Sequence, residues 1–540
     1  MHRIGTLTAL LVTWTISLLH AQEPTIQLPT VEIYGRRHAE FVLFGEKAHW
    51  MPKLRRPIQR PVGHKQEVNR EKLVEITPKR TPELGQRAKA NGRLALRAEY
   101  GSYTQIGEPY TSVGFSSQGG REWAEAGNAW ARGEYFKSTG DRATGQGGHI
   151  EVTGFYKRSP KATLWGTVQA SEGEQMLWGR PKTQDRDHWG RILSFGADLL
   201  PLLGLRGTLQ TTLGAVEVKD EDRTDPVREN RTEIQIGSEL SRNTMILRFG
   251  GTYRSLSRES GTIPRTDRLL SIDVLAIRSI GDRLNLGAGF QYSQWDSSKT
   301  QIREGLPQVL VELFPHQGLK LYARYAPRRV LHSFRALYEN HPFLDPDVLP
   351  IFSKTDPHGV LGLRFLPASD WILQVEGELS RAIGIPIWTD PDADGLWTLE
   401  RDRTVHIRSL SGALDYGALG APLRLQASIT AHQIEWLDTT TTLNVPYMPT
   451  IQGSIQATVL PIPGLRLSVR GTFVGLRYTT IASDDQVEGY VVLGAEVSKR
   501  LSGPITVYVR GENLLDQTYE IWKGYEMPGV GVYGGIEANW

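Results

Sequence analysis

VYGGIEANW, residues 532–540, is the stretch whose reading decides the fold. Counting back from its end, Trp540, Ala538, Ile536, Gly534 and Val532 fall on one face of a strand. Asn539, Glu537, Gly535 and Tyr533 fall on the other. Period two with one apolar and one polar face marks a strand that meets two different environments. It is either the edge of a soluble β-domain or a strand whose apolar face is turned to something other than water. The rest of the chain decides between them.

The same alternation runs upstream from Arg93. LRLQASITAH (423–432) sets Leu423, Leu425, Ala427, Ile429 and Ala431 against Arg424, Gln426, Ser428, Thr430 and His432. LRLSVRGTF (465–473) and WILQVEGEL (371–379) repeat it. Ten short turns are read around Gly119-Gly120, Ser159-Pro160, Leu202-Gly204, Arg242-Asn243, Gly281-Asp282, His316-Gly318, Ala368-Asp370, Leu419-Ala421, Pro463-Gly464 and Ser502-Gly503. Eleven other connections alternate with them, most of them longer and charge-rich, such as 173–188, 219–230 and 330–357. Together they join about 22 strands of about ten residues each, both ends lying on the short-turn side. Short turns at one end and long loops at the other are the polarity of an outer-membrane β-barrel. Such barrels also end on an exposed aromatic strand, so Tyr533, Ile536 and Trp540 form the candidate barrel-assembly signal. The expected fold class is all-β, a transmembrane antiparallel barrel spanning residues 93–540.

Composition agrees with that reading. The chain has 540 residues, no Cys, 56 Gly, 14 Trp, 19 Tyr and a net charge of +3. Without Cys there is no disulfide framework, thiolate metal site or cysteine nucleophile. The basic start at His2 and Arg3, then the apolar run 7–19 ending near Ala21, reads as a signal peptide over residues 1–21. No later stretch reaches the ~20 apolar residues of a membrane-crossing helix, so a membrane protein of this composition crosses with strands. The expected location is the bacterial outer membrane, in contact with its lipid bilayer.

The C-terminal block 508–540 resembles the closing strands of TonB-dependent outer-membrane receptors. The matching pieces are Glu512-Asn513-Leu514-Leu515-Asp516, Tyr519-Glu520, Met527-Pro528-Gly529 and the terminal aromatic. Residues 339–365 resemble the family's midbarrel signature, with Pro342, Leu344, Pro346 and Pro350 followed by Gly359, Gly362 and Phe365. LPTVEIYGRR (28–37) resembles the segment that pairs with the energy-coupling protein TonB, its core being Thr30, Val31, Glu32, Ile33 and Tyr34. The resemblance implies uptake of a large or scarce solute, such as a siderophore, cofactor or oligomeric nutrient. It also implies TonB and the barrel-assembly machinery as partners.

One departure from the family is plain. Its members fold a plug domain inside the barrel, yet residues 22–92 carry the TonB-box-like stretch and neither plug motif. The tract 36–93 holds 15 Lys/Arg against six Glu, a charge of +9, with five Pro. Such a composition does not build a packed domain. It is either a solvated periplasmic tail or a luminal filling drawn by acids such as Glu376 and Glu378. The alternative function is therefore a plug-less barrel, a passive porin-like channel or a scaffold whose lumen a plugging or surface-lipoprotein partner closes.

No catalytic motif is present: no nucleophile elbow, P-loop, dinucleotide fingerprint or HExxH. No cofactor and no nucleic-acid partner are expected. Asp390, Asp392, Asp394 and Gly395 stand at EF-hand spacing, but Arg401 occupies the position of the closing carboxylate and Glu400 falls one place early. The stretch is read as an acidic external hairpin, and those aspartates as the weak calcium candidate. The candidates for the lumen lining are Arg97, Glu99, Lys320, Arg324, Gln374, Glu376, Arg424, Arg466, Arg470, Arg510 and Glu512. Rings of such charge tune selectivity, or they hydrate the wall and bridge one another.

Overall fold

The computed structural model describes residues 91–539 apart from short stretches in the connections, the longest being 437–444, 178–183, 140–144 and 391–395. The signal peptide, the segment at Thr30 to Tyr34 and nearly all of the basic tract lie outside the described residues. Within them the chain is almost wholly β, with one seven-residue helix, Phe334–Asn340. No described helix is long and apolar enough to cross a membrane.

Among the described residues, 23 strands form one antiparallel sheet in which successive strands pair edge to edge. Leu319–Tyr325 and Arg328–His332 pair with successive stretches of the same strand, Ile351–Phe365, and so share one edge of it. The first strand, Asn91–Tyr103, pairs on one side with Glu108–Trp123 and on the other with the last, Gly531–Asn539. That second register runs from Arg93 opposite Asn539 to Gly101 opposite Gly531. Pairing the two terminal strands satisfies backbone groups that an edge would leave open.

The alternation written in the sequence becomes two faces. Leu361, Leu379, Leu410, Val509 and Ile536 all stand exposed on the apolar one, Leu361 at 69%. No soluble core would leave a belt of aliphatic side chains in the open. Residues paired directly across strands share a face, so Lys320, Arg364 and Gln374 lie together on the polar one. So do Tyr322, Gly362 and Glu376. A Cβ at Gly362 would stand 2.2 Å from Tyr322 Cζ, so any side chain there would have to push the Tyr322 ring aside.

The structure corrects several boundaries. Strands run well past ten residues, Gln184–Leu202 reaching 19. The loops read at 173–188 and 219–230 shrink to 178–183 and 221–226, because the hairpins carry on beyond the apolar belt. Charged side chains do not interrupt a backbone ladder that has water at hand, and Arg228 Nε donates to Glu217 across strands at 2.6 Å. The turn read at Gly119-Gly120 lies inside Glu108–Trp123, and the chain reverses between Trp123 and Gly127. Ladders on both sides override the local turn preference of a Gly pair. The long loop read at 330–357 is the largest change. It folds inward as a strand, the helix and a buried stretch that runs into Ile351–Phe365.

Candidate functional site

Residues 333–350 make the best-anchored feature at the end of the sheet where the long connections leave. Ser333 caps the helix, its side chain accepting from Ala336 N at 3.2 Å. Glu229, on the strand Val227–Arg242, accepts from Phe334 N at 2.8 Å and Arg335 N at 3.4 Å. A helix of two turns has little stability alone; packing supplies it, with Phe334 and Leu337 buried. The helix ends at Asn340, where the backbone N–H of His341 donates to Leu337 O.

Arginines from the long strands then hold the backbone. Arg186 donates to Leu344 O at 2.8 Å while forming a two-point pair with Asp220, Nε to Oδ1 at 2.5 Å and Nη2 to Oδ2 at 2.8 Å. Arg254 donates to Leu331 O at 2.7 Å, and Arg258 donates to Pro346 O with its guanidinium 4.5 Å from the Phe334 ring centre. Arg223 and Ser260 both reach Asp347. That contact keeps the Asp347 carboxyl below its usual range against the opposing effect of burial. An Arg fork matches carboxylate geometry and stays charged when buried, which suits it to this duty.

The far side of the segment meets the remaining long connections. The hairpin Ile387–Thr389 with Thr398–Glu400 places Trp388 and Trp397 against it. Backbone bonds join Trp397 N to Phe343 O at 3.0 Å and Asp345 N to Trp397 O at 2.8 Å. Trp522 enters from the last long connection, where Arg477 donates to Ile521 O at 2.7 Å and Glu520 O at 2.8 Å. All belong to one buried cluster that extends from Val216 and Val218 to Tyr533, joining strands from distant parts of the sheet. At its centre is His341, fully buried, with ring centroids 4.1 Å from Trp522, 4.7 Å from Trp388 and 5.0 Å from Trp397. Neither ring nitrogen has a hydrogen-bond partner among the described residues.

Burial, reinforced by the charge of Arg186, holds the His341 pKa well below its ordinary value of 6.5. The unfolded chain therefore binds more protons than the folded one as pH falls through the ordinary value. Stability contributed by neutral His341 is complete above that value and declines below it. Fluorescence of the Trp cluster is expected to fall from pH 7.5 to 4.5, and His341→Phe is expected to flatten the profile. An identical pH dependence in the variant would reject the assignment.

Lys320, Arg324, Gln374, Glu376, Arg424, Arg466, Arg470, Arg510 and Glu512, among the candidates for the lumen lining, share the polar face. Register sets Arg97 opposite Gly535 and Glu99 opposite Tyr533, the latter on the same face as Arg510. Arg510 pairs with Glu512 at 2.6 Å, and Tyr533 Oη donates to Glu512 at 3.0 Å. Lys320 bonds Glu312, and Tyr322 Oη donates to Glu376 and accepts from Gln374 Nε2 at 3.3 Å. Arg324 lies opposite Val360, while Arg424 and the pair Arg466 and Arg470 lie on the two strands that flank Ile451–Ile462. Ile536 lies on the apolar face, 55% exposed, and Trp540 is outside the described residues. So are Asp392 and Asp394; among the described residues no group of three side chains could hold a metal ion.

Sequence reasoning passed over Arg186, Asp220, Glu229, Arg258, His341 and Trp522. The available signal was tryptophan in connections, since Trp388, Trp397 and Trp522 all stand between strands of the large sheet, where solvent-facing chain has little use for them. The Glu512-Asn513-Leu514-Leu515-Asp516 block proves to be turn chemistry. Asn513 adopts φ 47° and its side chain bonds Gln517 O at 2.9 Å and Pro528 O at 3.1 Å.

No protein-family model matches the sequence, and no curated protein is similar to it. Solved structures are similar in fold. The ferric-catecholate import receptor Fiu of E. coli K12 superposes with a TM-score of 0.62 at 9% identity, over 84% of this chain and 82% of that one. The FrpB iron transporter of Neisseria meningitidis gives 0.63 at 10%, over 83% and 81%. The copper transporter OprC gives 0.61 at 11%, over 85% and 82%. With identity so low the likeness shows the fold alone, a large antiparallel β-sheet architecture shared with these import receptors and transporters.

Proposed function

We propose that this protein is an outer-membrane barrel of 22 staves that imports a solute too large or too scarce for general porins. The observation that carries the reading is a sheet whose terminal strands pair while its exposed face is aliphatic. A sheet joined edge to edge, greasy outside and polar inside, suits a bilayer. Counting Leu319–Tyr325 and Arg328–His332 as one interrupted stave gives 22. The anchored segment 333–350 and its aromatic cluster cap the outer mouth, and the polar face lines the route inward. Uptake by iron and copper transporters of the same fold supports this class of role, not a particular solute.

Coupling to TonB goes through residues 30–34, which offer a strand for pairing. The signal peptide over 1–21 delivers the chain, and Tyr533, Ile536 and Trp540 present it to the assembly machinery. Val31→Pro with Ile33→Pro removes the amide donors such a pairing needs. Energised uptake is expected to drop to the level of cells lacking the protein, with barrel abundance unchanged. Undiminished uptake would reject the coupling.

A second reading rests on the missing plug motifs and the charge of +9 over 36–93. In it, the barrel is a channel or scaffold and a separate protein closes its lumen. Purification with a stoichiometric partner, together with uptake indifferent to the proline variant, would favour it.

A further inference from the structure

Most carboxylates described on the polar face are already engaged. Glu233 is gripped by Arg231 and Arg254, Glu239 by Arg248 at 2.9 Å, Glu312 by Lys320, and Glu512 by Arg510 at 2.6 Å. Glu376 accepts from Tyr322, and Glu378 accepts from Ser380 at 3.0 Å with His358 Nε2 at 3.3 Å. These acids do not await a basic tail. The unbalanced side of the ledger is the cations, and they are concentrated.

Arg424 lies on the strand Leu423–Trp436, and Arg466 and Arg470 lie on Leu465–Val474; the two strands flank Ile451–Ile462 on either side. Register places Arg424 opposite Thr458 and Thr458 opposite Ser468. It likewise sets Gln426 opposite Gln456 and Gln456 opposite Arg470. Ser468 sits midway between the other two arginines along its strand. Two strand spacings separate Arg424 from it, roughly 10 Å, within the reach of converging arginine side chains. Between them Thr458 Oγ1 and Ser468 Oγ lie 3.3 Å apart. The patch is therefore three guanidiniums around hydroxyls and amides, every one able to donate.

All three arginines are exposed, Arg424 with 46% of its side chain. The flanking acids are Asp415, 3.8 Å from Arg424, and Glu496, which pairs in register with Ser468 on one side and Arg510 on the other. Two acids beside a patch that also adjoins Arg510 leave the cations in excess. Arg424 and Arg466 are near the short turns, the end opposite the cap.

We propose that Arg424, Arg466 and Arg470, with Ser468, Thr458 and Gln456 between them, form an oxyanion-binding site on the wall of the route, taken by an imported solute bearing carboxylate or phosphate groups. The proposal rests on reading the polar face as that route, and it names the solute class that the fold alone leaves open. Guanidinium forks recognise both oxyanions with two bonds each. The basic tract is the wrong occupant for this wall, since like charges repel across it. A small anion passing between cap and exit is the right one.

The test uses the full chain purified in detergent and titrated calorimetrically with tripolyphosphate in one arm and citrate in the other. Heat-modifiable migration and detergent partition report separately on the barrel, so a chain that is no membrane barrel fails there first. At physiological salt the native protein is expected to bind at least one probe. The triple substitution Arg424→Gln, Arg466→Gln and Arg470→Gln should weaken binding by on the order of tenfold or more, because charge-assisted bonds are lost. Binding should also fall with rising salt. Arg248→Gln, whose arginine is paired with Glu239, should bind as the native protein does. Equal binding by the triple variant, or no binding of either probe by a folded native barrel, overturns the proposal. So does recovery of the native protein with an acidic polypeptide that the triple variant no longer retains.

Discussion

Arg186→Ala is expected to release the segment 333–350 from the wall while leaving the sheet standing. The substitution strips Asp220, 2% exposed, of its two-point partner and takes the donor from Leu344 O. Removing one member of a buried ion pair costs about 3–5 kcal/mol, because the other charge is left uncompensated in a poor solvent. Docking of the segment would weaken by roughly a hundredfold or more. The strands carrying both residues remain paired in register from Arg186 opposite Asp220 to Leu202 opposite Leu205, so the ladder itself survives. Limited proteolysis should cut within 333–350 far faster than in the native protein, with unaltered heat-modifiable migration. Adding Asp220→Asn should restore part of the protection by removing the stranded charge. A cleavage pattern indistinguishable from the native one would show that the pair does not hold the segment.

Trp522→Ala is the second large effect. Its indole is fully buried and meets His341 at 4.1 Å, Tyr447 at 4.8 Å and Trp397 at 4.9 Å between ring centroids. Truncating a buried Trp to Ala costs about 3–5 kcal/mol, part lost burial and part unfilled cavity. Here the loss falls where four connections meet: the segment 333–350, the hairpin of Trp388 and Trp397, the chain around Tyr447, and the chain before Gly531–Asn539. The near-ultraviolet circular dichroism of the aromatic cluster should collapse, and protease should reach both Phe343 and Trp397. Trp522→Phe should retain much of the order. The two variants separate the anchors, since Arg186 binds the segment to the wall and Trp522 binds it to the other connections. Cluster dichroism unaffected by Trp522→Ala would remove the indole from its keystone position.

Much of the fold was legible because a strand with an apolar environment on one face and a polar one on the other must alternate. Leu361, Leu379 and Ile536 are exposed for the reason their positions imply, and turns such as Pro463-Gly464 fall where read, Gly464 adopting φ 76°. The lengths were not legible, because backbone hydrogen bonding continues past the apolar belt into hairpins whose charged side chains look like loop. Arg186 and Asp220 are the instance: in sequence both are solvated loop residues 34 positions apart, and only the register sets them side by side. The capping segment was invisible for a related reason. Nothing in YENHPFLDP says that His341 will lie among three indoles from other connections, since those contacts are all long-range.

Sequence by itself determined which side of each strand is greasy, which end has short turns, and that the chain lacks the residues for thiolate chemistry. Those are properties of neighbours along the chain, fixed by the two-residue repeat and by turn residues. Tertiary structure alone decided the register in which the first and last strands meet, and that a long connection turns inward onto buried arginines. It also decided that Arg424, Arg466 and Arg470 gather on one patch of wall. Each of these depends on which strands become neighbours, a matter of register and curvature that alternation of polarity does not encode.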